Sequence, residues 1–189
     1  MTDRWRCFVA VPLGDALRAD LAAVIVGWRQ DPRTDGLRWA DPAGMHLTFA
    51  FLGAVQPDEV TRIRQAMDPV AVAHAPMTVS TGRLGAFARP GSARVLWYGV
   101  ADADGALTDL ADALAGALGL RADGPYRPHI TLARARRRSV DLRGWIEEAS
   151  MAAPVGRLEV SVIQLMRSQL GRGPARYETL ASFDLGGGS

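Results

Sequence analysis

Two four-residue stretches of this chain share one form, His46-Leu47-Thr48-Phe49 and His129-Ile130-Thr131-Leu132, and the second begins 83 residues after the first. Side chains of a β-strand alternate between faces, so each stretch, read as a strand, puts its His and Thr on one side and two apolar residues on the other. The apolar pair then covers a core while the polar pair faces solvent or a cleft. A pattern that occurs twice predicts two similar halves, with two imidazoles and two hydroxyls converging where the halves meet.

The rest of the chain supplies elements for such a body. WRCFVAV (5–11) reads as a buried strand, and 13–28 as a helix with Leu17, Leu21, Val24, Ile25 and Trp28 on one face. Leu37-Arg38-Trp39 and a strand over 45–52, ended by Gly53, follow a loop marked by Asp31-Pro32 and Asp35-Gly36. A helix starts near Pro57, and strands are expected over 77–84 and 94–100 with a loop at 85–92 between them. Beyond them lie a helix over 108–120 ending near Gly119, a strand over 128–135, a helix over 141–151, and strands over 158–166 and 177–185. Several strands follow one another through loops too short for crossovers, which favours an α+β protein with antiparallel pairing. One bilobal domain over 1–185 is expected, with 186–189 (Gly-Gly-Gly-Ser) as a flexible tail.

Composition removes whole classes of chemistry. All 22 basic residues are Arg, so there is no lysine for a P-loop, a Schiff base or a lysyl-adenylate. One Cys and three scattered His make neither an internal disulfide nor a recognisable zinc site. The expectation is therefore no metal and no cofactor, in a reducing compartment, the cytoplasm. The run 7–12 is too short for a signal-peptide core, no stretch approaches a membrane span, and no obligate protein partner is evident.

Paired imidazoles and hydroxyls suit phosphodiester chemistry. With an unperturbed pKa near about 6.5, one imidazole can take a proton from water while the other, charged, gives one to a leaving oxygen. Thr hydroxyls can hydrogen-bond the non-bridging phosphate oxygens. His74, in VAHAP, has neither a Thr partner nor a duplicate, and is read as structural.

On these motifs the chain resembles the 2H phosphoesterase superfamily, and within it the bacterial RNA 2',3'-cyclic phosphodiesterases, also called 2'-5' RNA ligases. The resemblance covers RCFVAVP (6–12), LRW (37–39) with MHLTFAFLG (45–53), RPHITLAR (127–134), Ser168 and YETL (177–180). It implies a bilobal fold, two antiparallel sheets with outer helices around a central cleft. It also implies hydrolysis of 2',3'-cyclic phosphates, on RNA ends or nucleotides, to 2'-phosphomonoesters. His46 would be the acid, His129 the base, and Thr48, Thr131 and Arg134 the phosphate ligands. Phe51 serves either to stack a base or as a core aromatic. Phe51 and Arg134 both stand at the fifth position after a motif His, off the strand's even phase, so each needs a bulge or a strand end to reach the cleft. Two other outcomes stay open: 2'-5' ligation through the reverse reaction, and a nucleotide- or RNA-binding module without turnover. Seven Arg between Arg121 and Arg143, against Asp123 and Asp141, form either a patch that steers RNA or a solvated face.

Overall fold

The computed structural model describes residues 4–121, 124–169 and 175–186. In chain order these form β1 (Trp5–Pro12), α1 (Asp15–Trp28), β2 (Leu37–Trp39), β3 (His46–Val55), α2 (Val60–Ala73), β4 (Met77–Phe87), β5 (Val95–Val100) and α3 (Ala106–Ala117). After them come β6 (His129–Ala135), α4 (Trp145–Ala152), β7 (Gly156–Val160), β8 (Val162–Gln169) and β9 (Arg176–Asp184). Of the expected 186–189 tail, 187–189 lie outside the described residues.

Every strand pairing is antiparallel, and the strands run in the order β7-β4-β5-β6-β3-β1-β8-β9, with β2 also alongside β6. The two sheets expected from the sequence are thus two halves of one nine-stranded sheet, joined through a single ladder pair, Leu47 with Ile130. The reason for so narrow a join is β2. It takes the edge of β6 from Ala133 to Ala135, and the Ala40 N–H continues the contact to the Leu132 carbonyl, so β3 reaches β6 only at Ile130.

Helices α2 and α3 cover the β3-β1-β8-β9 half, while α1 and α4 cover the other. The expected α1 stripe is in place: Leu17, Leu21, Ile25 and Trp28 are buried, with Val24 at the margin. Trp28, Trp39 and Trp145 stack edge and face with centroids 6.0–6.5 Å apart, closing the core beneath β2. Phe8, Ala10 and Met166 form a separate small cluster on the other face of β1 and β8. That face carries the site.

Three strand boundaries differ from expectation. The strand expected over 158–166 breaks at Ser161, because β7 pairs with β4 in one half and β8 with β1 in the other. Strand β4 continues through Gly85 to Phe87, where a loop is expected. The Trp97 ring lies across Gly85 and would stand 2.2 Å from a Cβ there, so this glycine serves close packing within a strand. Gly53 sits inside β3 at φ 72°, where the extra residue Leu52 bulges against β1. Gly119 does end α3, two residues beyond its last helical residue, at φ 65° with the Leu120 N–H returning to the Ala115 carbonyl at 2.9 Å.

Candidate active site

The antiparallel pair Leu47–Ile130 sets His46 level with Thr131, and Thr48 level with His129. Leu47 and Ile130 are fully buried, while the four polar residues are half-buried on the opposite face. The duplicated motif is therefore a local two-fold arrangement about one ladder pair. It brings the four polar residues together as its alternation predicts.

Each imidazole is held in the same way. Nδ1 of His46 lies 2.7 Å from the Gly44 carbonyl, and Nδ1 of His129 lies 2.7 Å from the Arg127 carbonyl. A carbonyl only accepts, so Nδ1–H is the donor and Nε2 of each ring is left for chemistry. Both carbonyls lie next to a proline-containing segment that leads into the strand. Pro42 opens a 3-10 turn capped by the Asp41 carboxylate, which accepts the Ala43 N–H at 3.0 Å, and Pro128 directly precedes His129.

Burial lowers the pKa of both imidazoles below the ordinary histidine value. The carbonyl contacts oppose that shift, and the charge of Arg134 adds to it at both rings. His129 lowers His46 further. Arg134 thus stands close enough to act on both histidines.

Both fifth positions reach the cleft by a bulge at the same place. Phe49 is the extra residue of β3 against β1, between Thr48 and Ala50, and Leu132 that of β6 against β5, between Thr131 and Ala133. Each bulge turns two successive side chains into the core and returns the next to the cleft face. The burial sequence His, Leu/Ile, Thr, Phe/Leu, Ala, Phe/Arg is identical in the two strands. Phe51 is 69% exposed with its ring 6.3 Å from Phe8, which rules out the core-aromatic alternative.

Four aromatic walls escape motif reasoning. His46 stacks on Phe8 at 4.8 Å and meets the edge of Tyr177 at 5.0 Å. His129 meets Phe87 at 4.8 Å and Trp97 at 6.3 Å. Phe8 and Tyr177 fall in segments that carry the family resemblance, yet only the fold shows them touching an imidazole; Phe87 and Trp97 carry no sequence signal. Tyr126 is also part of the assembly: its hydroxyl donates to the Thr48 carbonyl at 3.0 Å, and its ring stacks on Phe49 at 5.7 Å.

His74 stays apart, at the end of α2, with its Nδ1 2.7 Å from the Val70 carbonyl. Among the described residues no three His, Cys, Asp or Glu side chains gather as metal ligands, and no helix is long and apolar enough to cross a membrane. The arginine run divides: Arg143 is taken by Asp141, Arg136 donates from Nε to the Leu37 carbonyl at 3.0 Å, and Asp123 lies outside the described residues.

Comparison with known proteins agrees with this architecture. Residues 15–172 match the family described as the 2'-5' RNA ligase superfamily. A protein of Archaeoglobus fulgidus named RNA 2',3'-cyclic phosphodiesterase is 31% identical over 183 residues, 95% of this chain and 99% of its own. Among solved structures, a Thermus thermophilus protein superposes with a TM-score of 0.75 at 26% identity, covering 96% of this chain and 98% of that one. Escherichia coli LigT complexed with NADP+ superposes with a TM-score of 0.70 at 25% identity, covering 97% and 99%.

Proposed function

The chain belongs to the 2'-5' RNA ligase superfamily of 2H phosphoesterases, and from that premise we propose that it hydrolyses 2',3'-cyclic phosphates on RNA ends or nucleotides to 2'-phosphomonoesters. The observation that carries this is the matched pair of imidazoles, each fixed through Nδ1 by a carbonyl two residues earlier. A site that only binds needs no imidazole held in one tautomer; an acid/base pair does.

In this reading His129 Nε2 takes a proton from water as the water oxygen bonds to phosphorus. The P–O3' bond breaks, and the proton on His46 Nε2 passes to the departing 3' oxygen. The next turnover starts after the two rings exchange protons with solvent. Thr48 and Thr131 donate to the non-bridging oxygens. Arg134 balances the charge that builds there as five oxygens crowd the phosphorus. These residues supply the proton transfers and the positive charge without a metal ion. Phe51, beside Phe8, offers a face for the base of the terminal nucleoside.

The test is product analysis after incubation with adenosine 2',3'-cyclic phosphate in the presence of a chelator. Adenosine 2'-phosphate at an undiminished rate is expected. A 3'-phosphate product, or loss of turnover with chelator, overturns the mechanism.

A further inference from the structure

On β2, Arg38 pairs directly with Arg134 of β6. Residues directly opposed across an antiparallel pair point to the same face, so Arg38 shares the cleft face with Arg134. Like charges so placed repel, and among the described residues no acid stands between them as Asp31 and Glu148 stand beside Arg33 or Asp141 beside Arg143. Neither Arg38 nor Arg134 pairs with a carboxylate among the described residues. Arg136 extends the track. Its backbone N–H donates to the Gly36 carbonyl, and its Nε bond to Leu37 fastens it along β2. Arg29, Arg38 and Arg136 border one depression at this edge, where Asp35 is the single acid.

We propose that Arg38, with Arg136 beside it, forms a second anion subsite, which takes the phosphodiester on the 5' side of the terminal nucleoside. It rests on the phosphodiesterase reading above and adds to it the recognition of an RNA strand. A cyclic phosphate stands at the 3' end of its chain, so the strand can leave the site only in the 5' direction. Arg134 lies on the strand that carries His129 and Thr131, returned to the cleft face by the bulge at Leu132, whereas Arg38 lies opposite it on the neighbouring strand β2, which carries neither motif. The reacting phosphate therefore falls to Arg134, and the next anion to Arg38. A guanidinium fork matches a phosphodiester's two free oxygens.

The experiment compares kcat/KM for adenosine 2',3'-cyclic phosphate, for the same compound carrying a 5'-phosphate, and for a short RNA with a cyclic-phosphate end, in wild type, Arg38→Gln and Arg38→Lys. Wild type should favour the two substrates with a 5' phosphate group by about tenfold or more. Arg38→Gln should collapse that preference, chiefly through KM, and flatten the salt dependence for RNA by about 0.7 of a log unit per log unit of salt. Arg38→Lys should keep the salt slope and recover only part of the preference. Equal losses on all three substrates would overturn the proposal, because Arg38 would then serve the reacting phosphate. A wild type indifferent to the 5'-phosphate would overturn it too. If wild type turned over none of the three, the phosphodiesterase reading itself would fall, and the subsite with it.

Discussion

The strands that carry the two motifs are alike in their backbones and unlike in their surroundings. Both hold the imidazole from a carbonyl two residues back, and both bulge three residues after the His. They differ at the fifth position, where the β3 half presents Phe51 and the β6 half Arg134. The walls differ in kind as well: the His46 ring stacks on Phe8 and meets the edge of Tyr177, whereas the His129 ring meets Phe87 edge-on and Trp97 at a tilt. In the proposed mechanism the symmetry of the backbone would supply two proton-transfer groups, and the asymmetry of one side chain an orientation: an arginine to draw the phosphate toward one half, and an aromatic ring to receive a base in the other. A fully symmetric site would accept a ribose cyclic phosphate either way round and release a mixture of isomers.

The largest effect should come from removing what the halves have in common. His46→Ala and His129→Ala are each expected to lower kcat on a cyclic mononucleotide by about a hundredfold to ten-thousandfold, with the fold intact by circular dichroism. The double variant should be little worse than either single one, since acid and base act as a unit. Multiplying losses would instead mean that the two rings work independently.

Arg134→Gln tests the asymmetry on the β6 side, with an expected loss of about a hundredfold to a thousandfold. Its pH profile is the sharper readout. With both imidazoles lowered, the bell of kcat/KM for the wild type should centre below about pH 6.5, its limbs belonging to the pair as a whole. Removing the Arg134 charge removes a repulsion felt by both rings, so both limbs should move to higher pH. The same sign governs stability. The unfolded chain binds more protons than the folded one below about pH 6.5, so these two groups weaken the fold as the pH drops through that range. Limbs that stay in place when Arg134 is neutralised would separate that arginine from the histidines.

Phe51→Ala tests the other side of the asymmetry. Loss of one base-stacking face corresponds to about 1–3 kcal/mol, or about fivefold to 150-fold, and should appear mainly in KM. An equal loss on a cyclic ribose phosphate that lacks a base would show that Phe51 shapes the His46 pocket rather than receiving a base.

What the sequence made legible, and what it did not, follows from how far each signal reaches. Alternation within His46–Phe49 and His129–Leu132 is local, so strand and face could be read directly, whereas convergence of the four polar residues followed only if the two strands met, as the Leu47–Ile130 pair makes them do. The bulges could be required but not seen, because Phe49-Ala50 and Leu132-Ala133 look like any apolar pair. Their existence follows from register against β1 and β5. Phe87 and Trp97 reach His129 from strands that carry neither motif, and only the pairing of β4, β5 and β6 assembles that wall. The break at Ser161 was hidden because β7 and β8 follow one another with only that residue between them and read as one longer strand. Their separation depends on which half each strand joins.

The smallest expected effect concerns the seam between the halves. Strands β3 and β6 share one ladder pair, and just beyond it the Thr48 carbonyl would face an open edge without the hydroxyl of Tyr126. Tyr126 precedes β6, so this bond ties the segment leading to the second motif onto the strand of the first. Burial raises the pKa of that hydroxyl, which keeps it a neutral donor across the working pH range. Tyr126→Phe keeps the ring against Phe49 and removes only the bond, so the variant should lose about 1 kcal/mol in urea unfolding with an unchanged slope. Two halves tied by so few contacts should feel that loss at the seam. Amide exchange at Leu47 and Ile130 should therefore quicken in the variant while α2 and α3 keep their protection. An unchanged unfolding midpoint would mean that the Leu47–Ile130 pair and the β2 contacts alone hold the halves in register.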